Sequence, residues 1–184
     1  MDQIVRIAFQ RKQAAPSFTT TSILVQATWT PLLSAVGDTK VVLSPLIPGM
    51  VIPPSEILEN GGNDNTTING IPELRGIGFT KVTAQLQSES AAIRVALRKL
   101  AAESALTPGF TNLWGYFINK DGQVIGSLNG SNVEGFPIYN VAVGDPGTEG
   151  YLQNNKTNFS FALAGGWADS LAIYNPTDFN PVNL

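Results

Sequence analysis

The sequence predicts a mainly β protein: an antiparallel β-sandwich or barrel covered by one amphipathic helix, with a long protruding loop and extended termini. Three observations predict it. Short runs in which apolar and polar residues alternate recur along the 184-residue chain, separated by clusters of Gly, Pro and Asn, the pattern of half-buried strands and their turns. One window, residues 88–106, changes to helical spacing. No repeat of fixed period divides the chain, so a single β-rich domain over residues 1–184 is expected.

Ile4 to Phe9, an apolar run broken by Arg6, followed by the basic Gln10-Arg11-Lys12-Gln13, fits an N-terminal strand or arm within residues 1–16 that ends at Pro16. Thr20 to Thr30 alternates, with Ile23, Val25, Ala27 and Trp29 on one side and Pro31 closing it, so a strand is predicted there. Gly37-Asp38 reads as a turn, and the β-branched run Thr39 to Leu43 as that strand's hairpin partner.

Residues 44–75 change in character. Pro45, Pro48, Pro53 and Pro54 precede Glu59-Asn60-Gly61-Gly62-Asn63-Asp64-Asn65, and no base occurs between Val41 and Leu74. Prolines remove ladder donors and Asn/Gly clusters favour turns, so a long loop that orders against a partner subunit is expected. Gly76 to Gln87 alternates again.

The helix follows over residues 88–106. Ser88 is placed as its N-cap with Glu89 in the first turn; Ile93, Ala96, Leu97, Leu100 and Ser104 form one stripe, and Arg94, Arg98 and Lys99 lie off it. Thr107-Pro108-Gly109 ends it. A helix with one apolar stripe needs a sheet to lie on.

Asn112 to Ile118 and Gln123 to Leu128 flank Asn119-Lys120-Asp121-Gly122 and read as a hairpin. A strand from Phe136 to Val143 is expected to end at Gly144-Asp145-Pro146-Gly147. Asn158 to Leu163 and Asp169 to Tyr174 form an expected last pair joined through Gly165-Gly166-Trp167, and Pro176 and Pro181 bracket a C-terminal extension over residues 175–184.

Chemistry is constrained by what is missing. The chain has no histidine and no cysteine, which removes the usual near-neutral proton carrier, the thiol nucleophile and soft metal sites together. Asp169 and Asp178 could serve as acid and base only if they faced each other about 5–10 Å apart; they read instead as a turn residue and a cap. Asn63-Asp64-Asn65 lacks the spacing of a calcium loop. Gly76-x-Gly78 and Gly165-Gly166 lack the residues of a phosphate cradle. An enzyme is not expected, and no catalytic, cofactor or metal residue is assigned.

Only 14% of residues are charged, against about a quarter in ordinary soluble domains, so part of the surface is expected to be covered by other protein. A formal charge of −3 and a pI near 4.8 argue against an outer surface that grips nucleic acid. No basic leader and no apolar run of roughly 20 residues is present, so a soluble protein made in a cytoplasm is expected. Asn-x-Ser/Thr sites at Asn65, Asn129, Asn155 and Asn158 are read as chance.

Charge is also segregated. Residues 41–74 hold four acids and no base, and residues 113–184 hold six acids and two bases, whereas residues 1–40 and 75–112 are net basic. Complementary patches of this kind orient head-to-tail contacts between identical subunits. Trp114, Tyr116, Tyr139, Trp167 and Tyr174 fit core packing, a subunit interface or a sugar-stacking surface.

The basic N-terminal arm, the two strands joined by Gly37-Asp38, the long polar loop, the one amphipathic helix, the further hairpins and the C-terminal Asn158-Phe-Ser-Phe-Ala-Leu-Ala-Gly-Gly-Trp-Ala-Asp-Ser-Leu-Ala-Ile-Tyr174 followed by Asn-Pro-Thr-Asp-Phe together resemble a tail tube protein of a tailed bacteriophage. The resemblance implies a virion protein, made in the host bacterial cytoplasm, whose hexameric rings stack into a hollow tube with an acidic lumen. Its partners would be itself, other virion proteins and DNA in transit, with no membrane and no cofactor. Expected subunit contacts are Arg11, Lys12, Glu56, Glu59, Asp64, Arg94, Arg98, Trp167 and Phe179, with residues 53–72 reaching the adjacent ring and residues 175–184 lying on a neighbour. Two alternatives share this texture: another virion component, such as a head decoration, connector or minor capsid protein, and a carbohydrate-binding β-sandwich using Trp114 or Trp167.

Overall fold

The computed structural model describes residues 3–62, 68–87, 90–105, 112–147 and 155–184, with the side chains of residues 103–105 left aside. In chain order the described elements are β1 (Ile4–Arg11), β2 (Phe18–Thr19), α1 (Gln26–Ser34), β3 (Val41–Leu43), β4 (Ile57–Asn60), β5 (Glu73–Ile77), β6 (Thr80–Gln87), α2 (Ala91–Ala105), β7 (Leu113–Asn119), β8 (Val124–Asn129), β9 (Asn132–Glu134), β10 (Phe136–Gly147), β11 (Lys156–Leu163) and β12 (Leu171–Tyr174).

Ten of these strands form one antiparallel sheet, and β4 and β5 form a separate hairpin. β1 lies between β3 and β7. The sheet then folds over along β10, which starts beside β7 with Phe136 opposite Gly115 and continues as the partner of β11, itself paired to β6. An ideal Cβ on Gly115 would meet the tip of the buried Ile138 side chain, so glycine at this position leaves room for Ile138 to pack over β7. The sheet stays open and is not a closed barrel, which narrows the sandwich-or-barrel expectation.

Both faces of the β1–β7 layer are buried. Ile7, Phe9 and Phe117 face Phe159, Phe161 and Leu163 from the β10-β11-β6 layer, and α2 adds Leu97. Ala8, Tyr116 and Ile118 point the other way, onto Phe18, Ile23, Trp29 and Val41. Side-chain alternation along a strand assigns successive residues to these two cores. β6 shows the same rule on a layer wet on one side, since Thr80, Val82, Ala84 and Leu86 are buried and Lys81, Thr83 and Gln85 are exposed.

Several expectations are corrected. The N-terminal segment, expected as a strand or an arm, is an interior strand over Ile4–Arg11. The segment predicted as a strand from Thr20 to Thr30 holds a 3₁₀ turn, Ser22–Leu24, and the start of α1, so there are two helices and not one. α1 forms because Trp29 is fully buried with its indole N–H donating to the Ile23 carbonyl at 2.9 Å, and because Asp178 accepts from the Gln26 amide at 3.1 Å, where the N-cap Val25 supplies no side-chain acceptor. β3 consequently pairs with β1 and not with that segment.

The expected loop over 44–75 is anchored in its first part. Ser44 accepts from the Ile7 amide, Ile47 and Met50 enter the core, and Val51 bridges Thr83 of β6. Its second part contains β4 and the start of β5. The helix begins at Ala91 with Ser90 accepting from the Ile93 amide; Ser88, Glu89 and the stop Thr107-Pro108-Gly109 lie outside the described residues. β10 runs through Gly144-Asp145-Pro146-Gly147, absorbing the turn residues as shifts of register. β12 pairs with β8 and not with β11.

Candidate assembly interface

β4 and β5 leave the body as a two-stranded projection. β4 and β5 expose every residue except Gly76. Ile57 stands opposite Ile77 and Glu59 opposite Leu74, and Ile57, Ile68 and Leu74 are 66%, 86% and 71% exposed. An isolated two-stranded hairpin is marginal in water, and aliphatic residues in this number are normally covered. The proline- and Asn-rich composition suppresses any competing core element here, while the acids keep the projection in solution.

The projection is fixed at its base. Gly78 N–H donates to the Glu56 carbonyl at 2.8 Å, and the hydroxyls of Ser55 and Thr80 lie 2.6 Å apart. Phe79 packs edge-on to Tyr139 with ring centroids 5.8 Å apart. Gly165 approaches the Ile77 carbonyl so closely that a Cβ has no room.

Two other surfaces accompany the arm. The polar face of β6, β11 and β10 meets residues 48–51 in an open groove of about 600 Å³ lined by Lys81, Thr83, Gln85, Asn158 and Ser160. β6 ends the sheet, with a bridge to Val51 as its outer strand pairing among the described residues. A smaller cleft of about 180 Å³ lies between β1, β3 and α2, with Phe9, Val42 and Leu100 among its apolar lining and Arg11, Lys40 and Lys99 as cations.

The expected contact residues do not converge on one surface. Glu59 is on the arm and Glu56 at its neck, both exposed, and Lys12 is exposed beyond β1. Arg11 pairs with Asp38 at 2.8 Å. Arg98 holds the edge of β10 through the Gly144 carbonyl and through Asp145 at 2.6 Å, and hydrogen bonding to Arg98 sets the Asp145 carboxyl below its ordinary range. Arg94 is half-buried on α2. Trp167 packs edge-on to Phe136 and Phe117 in the first core, and Phe179 lies against Trp29 in the second, so both are occupied within their own chain. Asp64 lies outside the described residues.

The C-terminal extension folds back. Val182 and Leu184 join Phe179 on the second core, and Arg6 donates to the Leu184 carbonyl at 2.9 Å. Trp114 and Tyr116 are buried. With Trp167 packed inward as well, no ladder of exposed tryptophans forms a sugar-stacking groove among the described residues. The Asp169 amide closes a turn on the Gly166 carbonyl, and the Asp178 carboxylate caps α1 by accepting from the Gln26 amide. The described acids of residues 113–184 are spread over two turns, β9, β10 and the tail, and β6 and β11 present no carboxylate on their polar face.

Lys40, Lys99 and the aliphatic residues of the arm were missed from sequence as contact candidates. Ile57-Leu58 and Leu74, set in a stretch with no base and no helical or strand-length period, were the available signal.

Among the described residues no helix is long and apolar enough to cross a membrane, and no group of three His, Cys, Asp or Glu side chains could hold a metal. No protein-family model matches the chain, and no curated protein matches it. Two solved structures are similar in part. One is described as the virion of a native gene transfer agent particle, at 13% identity over 70% of this chain and 85% of that chain, with a TM-score of 0.39. The other is described as the tail of an empty gene transfer agent particle with C6 symmetry, at 14% identity over 78% and 91%, with a TM-score of 0.40. Scores this low do not establish a shared fold.

Proposed function

We propose that this protein is a structural subunit of a phage-type virion that self-associates into stacked rings, in the manner of a tail tube. The observation that carries the reading is the projecting β4–β5 arm, aliphatic on exposed strands and rigidly held at its neck. Covering one such side chain fully is worth about 1.5–3 kcal/mol, so burial of several on a neighbour supplies the association energy. The edge of β6 on either side of the Val51–Thr83 bridge is a second contact, because a partly paired strand edge still offers ladder groups to a strand from the next copy. The polar face of β6 and β11, mostly hydroxyl and amide, is the surface suited to a bore. DNA then slides past a weakly charged wall in which Lys81 is the cation on β6, and not past the acidic lining expected from sequence.

Light scattering across a concentration series tests this. The 19.6 kDa chain is expected to grow into particles of many subunits as concentration rises. A constant monomer mass up to the solubility limit removes the proposal.

A further inference from the structure

We infer that the cleft between β1, β3 and α2 is the receptor for the β4–β5 arm of a second copy of this chain. The inference rests on the self-association proposed above and names its two faces. The cleft has an apolar floor and a cationic rim, and at about 180 Å³ it admits a branched aliphatic side chain. The arm offers the complement: Leu74 stands opposite Glu59, so this leucine and a carboxylate share one face of the ribbon, while Glu73, paired with Asn60, adds a second carboxylate on the neighbouring position.

Charge selects this pairing over others. Arg98 and Arg11, the cations nearest to hand from sequence, are engaged with Asp145 and Asp38. Lys40 and Lys99 are exposed on the rim, and the arm brings three acids, Glu59, Asp64 and Glu73, against a single base, Arg75. The chain's own arm does not fill the cleft, since its strand residues other than Gly76 are exposed. A docked carboxylate near two ammonium groups at a partly desolvated rim gains more than the same pair in open water. A leucine seated beside it excludes that water.

The test is a charge exchange in the full-length chain. Lys40→Glu with Lys99→Glu, and separately Glu59→Lys with Glu73→Lys, are each expected to raise the concentration for half-assembly about tenfold or more. Both leave the unfolding midpoint unchanged because all four residues are exposed. Mixing the two doubly substituted chains is expected to recover assembly, since each then meets an opposite charge. As a contact readout, the cysteine-free chain carrying Glu59→Cys is mixed with one carrying Lys99→Cys; a disulfide-linked heterodimer is expected on oxidation, and not with Lys120→Cys.

If wild type assembles but the reversals do not weaken it, or the mixture does not recover, or the crosslink fails, the cleft is not the receptor and self-association stands. If wild type itself never assembles, self-association falls and this inference with it.

Discussion

The amide of Gly78 donates to the carbonyl of Glu56 at 2.8 Å, and this one bond closes the neck of the arm. Because the two residues meet as the ends of a tight turn would, residues 57–77 can be replaced by Asn-Gly, with Glu56 and Gly78 becoming the first and fourth residues of a β-turn. The arm lends no side chain to either core, so the shortened chain is expected to unfold within a few degrees of wild type by circular dichroism. Its sedimentation coefficient is expected to stay that of a monomer.

Gly165 beneath the Ile77 carbonyl sets the angle of the arm. Gly165→Ala puts a methyl group against backbone that cannot move aside cheaply. A loss of about 1–3 kcal/mol in urea unfolding is expected, as for other overpacked sites. Limited proteolysis should show faster cleavage within residues 57–77.

Phe179 and Trp29 have ring centroids 6.5 Å apart, which makes the tail part of its own fold. Phe179→Ala is expected to cost about 2 kcal/mol, less than a fully buried phenylalanine because the ring is half-exposed. Assembly below the melting transition should be unchanged. The reverse pattern, normal stability with assembly lost, would put the tail on a neighbour instead.

Tyr116 predicts alkaline sensitivity. Burial raises its hydroxyl pKa above the ordinary 10.0, so the folded state holds the proton when the unfolded state has begun to lose it. Its contribution is therefore present in full below pH 10 and declines as pH rises beyond that value. Burial raises Tyr174 in the same direction. Urea midpoints followed by tryptophan fluorescence should fall between pH 9 and about pH 11. Tyr116→Phe should flatten the fall and lower stability near pH 7 by about 1 kcal/mol, since it removes the long 3.4 Å bond donated to Gln10 and the hydrogen bond with the Gly135 backbone.

The antiparallel strands were legible where one face is wet. β6 and the β7–β8 hairpin lie where alternation and Asp121-Gly122 put them. The α1 segment was misread because Ile23, Val25, Ala27 and Trp29 satisfy period 2, while the competing helical set Trp29, Leu32 and Leu33 is short and interrupted by Pro31. Burial of one tryptophan outweighs local preference there. The course of β10 was hidden because Pro146 and its glycines signal a turn, and pairing to β11 overrides that signal. The arm was legible as a projection but not as a hairpin, and which cations remain on the surface depends on pairings distant in sequence. Arg98 to Asp145 and Arg11 to Asp38 are such pairings.

Negative-stain electron microscopy of the purified wild-type chain beside the chain lacking residues 57–77 tests the central claim most directly. Rings or tubes from wild type and dispersed single particles from the shortened chain are predicted. Single particles from both, or tubes of wild-type length without the arm, would contradict it.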